Sequence, residues 1–204
     1  MFKIYRAIMG SKYFIAVNVI IPILMIIIGL INGVHYNDMI SIWCFCAACL
    51  IEIASEYFGL GPIYRKRSFG MNYLKTAYGG MDLFRKAIII DSILRAVRCL
   101  VYIILPALIV VEPADYKRVI TAGLILSWVS VWSVNLTRYI SIFSFMFISN
   151  IPFMVPAGTM YAVARMIPGT ANVICFISII LLITGFVFSN WLIRKKINDS
   201  YKDI

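Results

Sequence analysis

Apolar residues form six long runs in this chain, and short polar stretches separate them. A helix needs about 20 mostly apolar residues to cross the hydrocarbon core of a membrane. The runs therefore predict six transmembrane helices, at about residues 14–32, 39–59, 87–111, 119–136, 139–155 and 171–193. This pattern is typical of an all-α integral membrane protein, and a single transmembrane domain is expected to cover residues 1–204.

Composition agrees with a lipid environment for these runs. Hydrophobic residues make up 62% of the 204 residues, whereas charged residues make up only 14%. A soluble domain of ordinary composition is about half apolar and about one quarter charged. So few charged side chains cannot cover a water-facing surface, and we expect most of the chain to lie in lipid.

The basic residues predict how the chain is oriented. Cytoplasmic loops of membrane proteins carry an excess of Lys and Arg. With the N-terminus inside, fourteen of the 19 Lys and Arg residues fall on the cytoplasmic side, and Arg138 is one of them. Only Lys117, Arg118 and Arg165 fall outside. Both ends are therefore expected in the cytoplasm, and the net charge of +10 is attributed to topology rather than to a nucleic-acid partner.

The stretch FKIYRAIMG at the start of the chain predicts an amphipathic helix at the membrane surface. With a turn of about 100° per residue, Lys3, Arg6 and Gly10 fall on one side of this helix. The other side carries the apolar residues Phe2, Ile4, Tyr5, Ile8 and Met9. Such a helix lies in the headgroup plane with its apolar face toward the hydrocarbon. A frayed basic tail is the alternative.

The sequence lacks the groups that catalysis or nucleotide binding would need. No G-x-x-x-x-G-K-[ST] motif is present to cradle phosphates. The one histidine, His35, leaves no His pair for zinc and no Ser/His dyad. Cys44, Cys46 and Cys49 lie in an apolar run and are interpreted as buried reduced thiols. We therefore expect that the chain is not an enzyme and has no catalytic residues, metal or cofactor of its own.

Five ionisable residues fall inside the second and third predicted spans. Glu52 and Glu56 lie on one face of the second span, and Asp91, Arg95 and Arg98 lie on one face of the third. The two spans are antiparallel and the depths match, so we expect the glutamates to pair with the arginines. Ionisable groups at membrane depth face the interior and need partners. We favour a structural role that joins the two helices, and a polar lining of a transport path is the alternative.

Residues 65–86, RKRSFGMNYLKTAYGGMDLFRK, predict a cytoplasmic docking segment between the second and third spans. Apolar residues at helical spacing predict a short helix, which Gly79-Gly80 ends. Asp82 is expected to cap the helix that follows. An exposed, partly apolar short helix is the kind of element that a groove in a partner protein accepts.

In its layout the chain resembles the membrane subunit of the type-2 ABC permease family. The stretch YLKTAYGGMDLFRKA stands where that family has its coupling helix, although Gly79-Gly80 replaces the usual proline. The resemblance implies that this segment docks on a separate ATPase subunit. The implied coupling residues are Tyr73, Leu74, Lys75, Tyr78, Met81, Asp82, Phe84 and Arg85.

A second part of the resemblance lies in IPFMVPAGTMYAVARMIPGTAN, which is similar to the family's segment after the fifth span. Pro152, Pro156 and Pro168 take the places of the family's prolines. Prolines this close together disrupt the hydrogen-bond ladder of a regular helix. We therefore expect a re-entrant segment between the fifth and sixth spans, and two ordinary kinks in one long span are the alternative.

The resemblance implies a permease subunit of an ATP-driven exporter in the cell membrane of a bacterium. ATP and Mg²⁺ would bind the partner ATPase, and a second permease subunit, identical or similar, would complete the path. Peptides, antibiotics or lipid-linked molecules are the implied substrates. The alternative function is a small six-span subunit that captures a vitamin for an importer, which would often purify with its ligand bound.

Overall fold

A computed structural model describes residues 6, 10–34, 47–48, 50–52, 54–56, 74–110, 116–140, 146–167 and 169–202. Its helices in chain order are α1 (Ser11–Ile15), a π-helical turn (Ala16–Ile20), α2 (Ile21–Val34), α3 (Gly80–Val110), α4 (Tyr116–Ile140), α5 (Met146–Met166) and α6 (Thr170–Lys202). The described residues between 47 and 56 are helical as well. No β-strand occurs among the described residues, so the predicted all-α class is confirmed.

Three helices of the described chain are long and apolar enough to cross a membrane, which confirms the predicted membrane character. They are Lys12–Ile31, Tyr116–Arg138 and Thr170–Lys195. The helices α3 and α5 cover most of the third and fifth predicted spans. The N-terminal interfacial helix lies outside the described residues except for Arg6 and Gly10. Tyr73 and Pro168 lie outside them too.

Helix α4 is the centre of the structure. It packs against α3, α5 and α6, and Ile125, Leu126 and Val129 on it are completely buried. It runs antiparallel to α3, since Ser127 Oγ donates to the Ala96 carbonyl and Arg138, later on α4, bonds to Asp91, earlier on α3. Because most of α4 is buried while much of α2 and α6 is exposed, the bundle is built around this one helix.

The outer surface of the bundle is apolar. Large side chains that lie open include Ile23, Leu24 and Ile27 on α2, and Phe176, Ile180 and Ile183 on α6. A soluble monomer rarely exposes so large an apolar area. Lipid chains solvate such side chains without cost, so this surface suits a membrane.

The prolines of α5 do not break the helix. The structure has one continuous helix from Met146 to Met166, with Pro152 and Pro156 inside it. The helix break expected at Pro152 and Pro156 is therefore not present. The alternative, one continuous helix that contains both prolines, agrees better with the structure. Each proline removes a single backbone donor, and the remaining ladder and the packing on α4 hold the helix together. The chain turns only after Met166, where Gly169 has φ of 90°.

A close contact between α2 and α3 depends on a glycine. A Cβ atom placed on Gly29 would lie 2.7 Å from Cγ of Pro106, which is too close for two carbon atoms. The missing side chain therefore lets the two helices approach each other at this point.

We expect Gly29→Ala to destabilise the protein by about 1–3 kcal/mol, the usual cost of overpacking. Gly158→Ala is the matched control, because nothing lies within 4 Å of a Cβ at that position. Alanine is the better helix former, so the control should be neutral or slightly stabilising. Thermal unfolding of the purified chain in detergent measures both. An equal effect of the two substitutions would contradict the close contact.

Candidate functional site: a buried charge network

Three acids and three arginines form a buried network within the described part of the chain. Its members are Glu52, Glu56, Asp91, Arg95, Arg98 and Arg138. None of the six is more than 6% exposed. The formal charges of these six side chains cancel, which is the condition under which ionised groups persist in a medium of low dielectric constant.

Arg95 lies at the centre of the network and is completely buried. Its Nε donates to Oδ2 of Asp91 at 2.8 Å, one turn earlier on the same helix. Its Nη2 donates to Oε2 of Glu56 at 2.8 Å. Its Nη1 donates to Oε2 of Glu52 at 3.1 Å and to Oγ of Ser55 at 2.7 Å. One guanidinium thus joins α3 to the second predicted span, as the matching depths predict.

Arg98 extends the network to the π-helical turn between α1 and α2. Its Nη2 donates to Oε2 of Glu52 at 2.9 Å, and its Nη1 donates to Oδ1 of Asn18 at 2.7 Å. Asn18 lies in the π-helical turn and donates its own amide N–H to the Phe14 carbonyl at 3.0 Å. Tyr102, one turn further along α3, donates to Oε1 of Glu52 at 3.0 Å. π-Helical turns are rare and frequently occur at functional sites, and here the turn holds the Asn18 amide against Arg98.

Arg138 completes the network, and the sequence analysis missed it. It is 2% exposed and makes two parallel bonds to Glu56, from Nε to Oε1 at 2.7 Å and from Nη2 to Oε2 at 2.9 Å. Its Nη2 also donates to Oδ2 of Asp91. Counting Arg138 among the cations of the short cytoplasmic loops is therefore wrong, because it is buried at the end of α4.

One sequence signal and one structural relation point to Arg138. Asp91 is a third acid opposite two arginines, so a third cation is missing from the predicted set. Arg138 also follows Ser127 by eleven residues, which places both on the face of α4 that packs on α3. The predicted orientation is unaffected. If Arg138 is left out, thirteen Lys and Arg residues still lie on the cytoplasmic side, against three outside.

The network fixes the relative positions of four segments of the chain: the π-helical turn, the second predicted span, α3 and α4. Buried ion pairs often add little net stability compared with apolar packing. Breaking one, however, leaves a charge without compensation in a place that water does not reach. The network therefore specifies one arrangement of these helices more than it adds stability.

The predicted docking segment forms a tight turn, as Gly79-Gly80 suggests. Leu74, Lys75 and Thr76 are helical, a bend and turn follow, and α3 begins at Gly80. Gly79 has φ of 68°, which side chains other than glycine rarely adopt. A Cβ on Gly80 would lie 2.4 Å from the Leu74 carbonyl oxygen. Both glycines are therefore needed for the turn.

Two of the predicted coupling residues do not face outward. Met81 and Phe84 are buried, together with Ala87, Ile88 and Ile193, in an apolar cluster between the start of α3 and the end of α6. We refer to these five residues as the inner apolar cluster. Met81, Phe84 and Ile88 recur at helical spacing, so one face of α3 packs on α6 and is not presented to a partner. Leu74 packs at the edge of this cluster.

The other predicted coupling residues lie nearer the surface. Tyr78, in the turn, is the most open, with a side chain fully exposed. Asp82 is not the cap that we expected, because the first helical bond runs from the Leu83 N–H to the Gly79 carbonyl. Asp82 instead forms an ion pair with Lys86 at 2.5 Å. Arg85 donates to Oδ1 of Asn190 on α6 at 3.3 Å, and Lys75 is half-buried.

Comparison with known proteins gives no match, either to a protein-family model, to a curated protein or to a solved structure. In the described part of the chain, no group of three His, Cys, Asp or Glu side chains is placed to hold a metal ion. The acids of the network are instead engaged by arginines.

We expect Arg138→Gln to destabilise the protein by about 3–5 kcal/mol, because Glu56 and Asp91 would lose a cation in a buried site. Arg194→Gln on the exposed end of α6 is the matched control, and its effect should stay within about 0.5 kcal/mol. Thermal unfolding of the two purified variants measures the difference. A small effect at Arg138 would mean that the network is not formed.

Proposed function

We propose that this chain is the membrane subunit of an ATP-driven ABC exporter, with six spans and both ends in the cytoplasm. A separate ATPase subunit would hold ATP and Mg²⁺, and a second permease subunit would complete the path. The cell membrane of a bacterium is the proposed location. The observation that carries the proposal is the turn at Tyr78, which presents an exposed aromatic side chain just before a long helix.

The helix directions support this arrangement. Gly29 of α2 lies beside Pro106 and Asn18 binds Arg98, so the first and third predicted spans run parallel. Helix α4 runs antiparallel to α3. Each of these relations is the one that a chain crossing the membrane six times in succession requires.

The position of the turn also supports docking from the cytoplasm. The start of α3 lies beside the end of α6, where Ser92 and Ser189 are hydrogen-bonded at 3.2 Å. In the proposed topology both of these ends face the cytoplasm. The turn therefore lies on the side of the membrane where an ATPase subunit would bind.

Helix α3 provides a mechanical route from the turn to the network. Leu74 packs against the inner apolar cluster at the start of α3, so a displacement of the turn would move the start of α3 with it. Asp91 lies eleven residues beyond Gly80, which is about 17 Å along a helix. A displacement of the turn on ATP binding would thus reach the charge network through one rigid element.

Within this proposal the network acts as a structural latch between the helices. The third acid, Asp91, is balanced once Arg138 is included. A balanced set needs no substrate to explain it. The substrate would then contact other surfaces, and peptides, antibiotics and lipid-linked molecules remain the proposed classes.

The proposed coupling predicts that an ATPase subunit co-purifies with the native chain and is lost with Tyr78→Asp. The substitution places a charge on the fully exposed contact residue without disturbing a buried one. Met166→Asp is the matched control. Met166 is exposed at the end of α5, on the side of the membrane opposite the turn in the proposed topology, so its substitution should leave ATPase binding intact. Mild detergent extraction followed by mass spectrometry of the purified complex provides the measurement.

Two outcomes would contradict this assignment. One is that no ATPase accompanies the native chain, and the other is that Tyr78→Asp retains it fully. A vitamin-sized molecule bound to the purified chain, without an ATPase dependent on Tyr78, would favour the importer subunit instead.

The latch interpretation predicts how Arg98→Gln behaves. Arg98 is a member of the network with two partners on other segments, so its loss should lower the yield of folded protein. Transport per folded molecule, measured in vesicles with the partner ATPase, should fall less than about twofold. Normal yield together with abolished transport would show that Arg98 belongs to the path, and the latch interpretation would fail.

A further inference from the structure

Three hydrogen bonds set the register between α4 and α6. Thr121 Oγ1 donates to the Ala171 carbonyl at 3.3 Å, and Trp132 Nε1 donates to the Leu181 carbonyl at 2.8 Å. Further along, Asn135 Nδ2 donates to the Gly185 carbonyl at 3.1 Å. The residue numbers of the partners differ by 49 or 50 each time. The two helices therefore run parallel, with position n on α4 opposite position n + 50 on α6.

This register places Trp128 opposite Ser178. Trp128 follows Thr121 by seven residues and precedes Trp132 by four, so it lies on the same face of α4. Ser178 lies seven residues from both Ala171 and Gly185, and it shares their face of α6. Their exposed fractions are 3% and 0%. Both side chains therefore belong to the interface between the two helices.

The polar atoms of these two side chains have no partner. Trp128 Nε1 and Ser178 Oγ make no hydrogen bond to any residue that the structure describes, including each other. The other three polar pairs in this interface are bonded, although the second polar atom of Asn135, Oδ1, also has no partner among the described residues. An indole N–H can only donate, whereas a hydroxyl can donate and accept. Leaving both unpaired in a buried interface is costly.

We propose that Trp128 and Ser178 form a binding site for a single water molecule between α4 and α6. The water oxygen accepts the indole N–H and bonds to the Ser178 hydroxyl. Buried waters of this kind are regular parts of protein structures and satisfy polar groups that cannot reach each other. Both residues are neutral, so the site suits water rather than an ion.

The site lies at the middle of a helix that spans the membrane. Trp128 is twelve residues from Tyr116 and ten from Arg138, the ends of the apolar segment of α4. Ile174, one turn before Ser178, belongs with Trp128 to the main apolar core. The water is therefore isolated from bulk solvent by apolar packing on either side. Ser127, next to Trp128, bonds to Ala96 on α3, so the charge network lies on a different face of α4.

Magnetisation exchange between indole protons and water tests the proposal directly. The chain has 4 tryptophans, so ¹⁵N-tryptophan labelling of the full chain in detergent gives few indole signals, and Trp→Phe variants assign them. The Trp128 indole should show a cross-peak to water. Trp132 is the internal control, because its N–H is bonded to the Leu181 carbonyl and should show none. If neither indole or both indoles show a cross-peak to water, the proposal is overturned. A cross-peak from the Trp128 indole to a bound organic molecule instead of water would overturn it too.

A thermal double-mutant cycle is the second test. Ser178→Ala should lower the unfolding midpoint by about 2–4 °C, the shift expected for the loss of one net hydrogen bond in a chain of this size. In the Trp128→Phe background the same substitution should have less than half that effect, because the bridge is already broken. Because both backgrounds are compared, the effect of the smaller side chain at position 128 on the unfolding midpoint cancels in the cycle. If Ser178→Ala raises the midpoint, or acts equally in both backgrounds, no bridge exists.

Discussion

An ionisable side chain inside a membrane must find an opposite charge, and this constraint fixes four segments of the bundle relative to one another. Three acids and three arginines meet in one buried site, and they come from segments far apart in the chain. Arg95 and Arg138 both bind Glu56, so the second predicted span, α3 and α4 are held in one arrangement. The π-helical turn joins them through the hydrogen bond between Asn18 and Arg98. The apolar surfaces alone would not select this arrangement, because lipid solvates apolar side chains as well as a neighbouring helix does.

The central position of α4 follows from the same constraint. This helix carries Arg138 at one end and a series of small or polar residues along its length, including Gly123, Ser127 and Asn135. Small residues allow α3 and α6 to approach closely, and the polar ones bond to backbone carbonyls of those helices. Helices α2 and α6, which are apolar almost all round, lie on the outside. Polarity thus places a helix at the centre of a membrane bundle, the reverse of the rule for soluble proteins.

The sequence predicts the elements and five of the six members of the network because these depend on local pattern. Spacing and depth predict the positions of the apolar runs and the turn at Gly79-Gly80. They also predict that Glu52 lies opposite Arg95. Arg138 was missed because a cation at the end of an apolar run is the usual sign of a loop. The burial of Met81 and Phe84 depends on where the end of α6 comes to lie, which no local pattern encodes. The π-helical turn at Asn18 has no sequence marker, and the continuity of α5 through two prolines depends on its packing.

The most direct test of this account is the coupling energy between Glu56 and Arg138. Four proteins are compared by thermal unfolding in detergent: the native chain, Glu56→Gln, Arg138→Gln and the variant with both substitutions. If the two side chains form a buried pair, the double variant will be clearly more stable than the sum of the single effects predicts, because it leaves no charge of that pair uncompensated. If the effects of the single substitutions simply add, the two residues do not interact, and the charge network does not hold the bundle together.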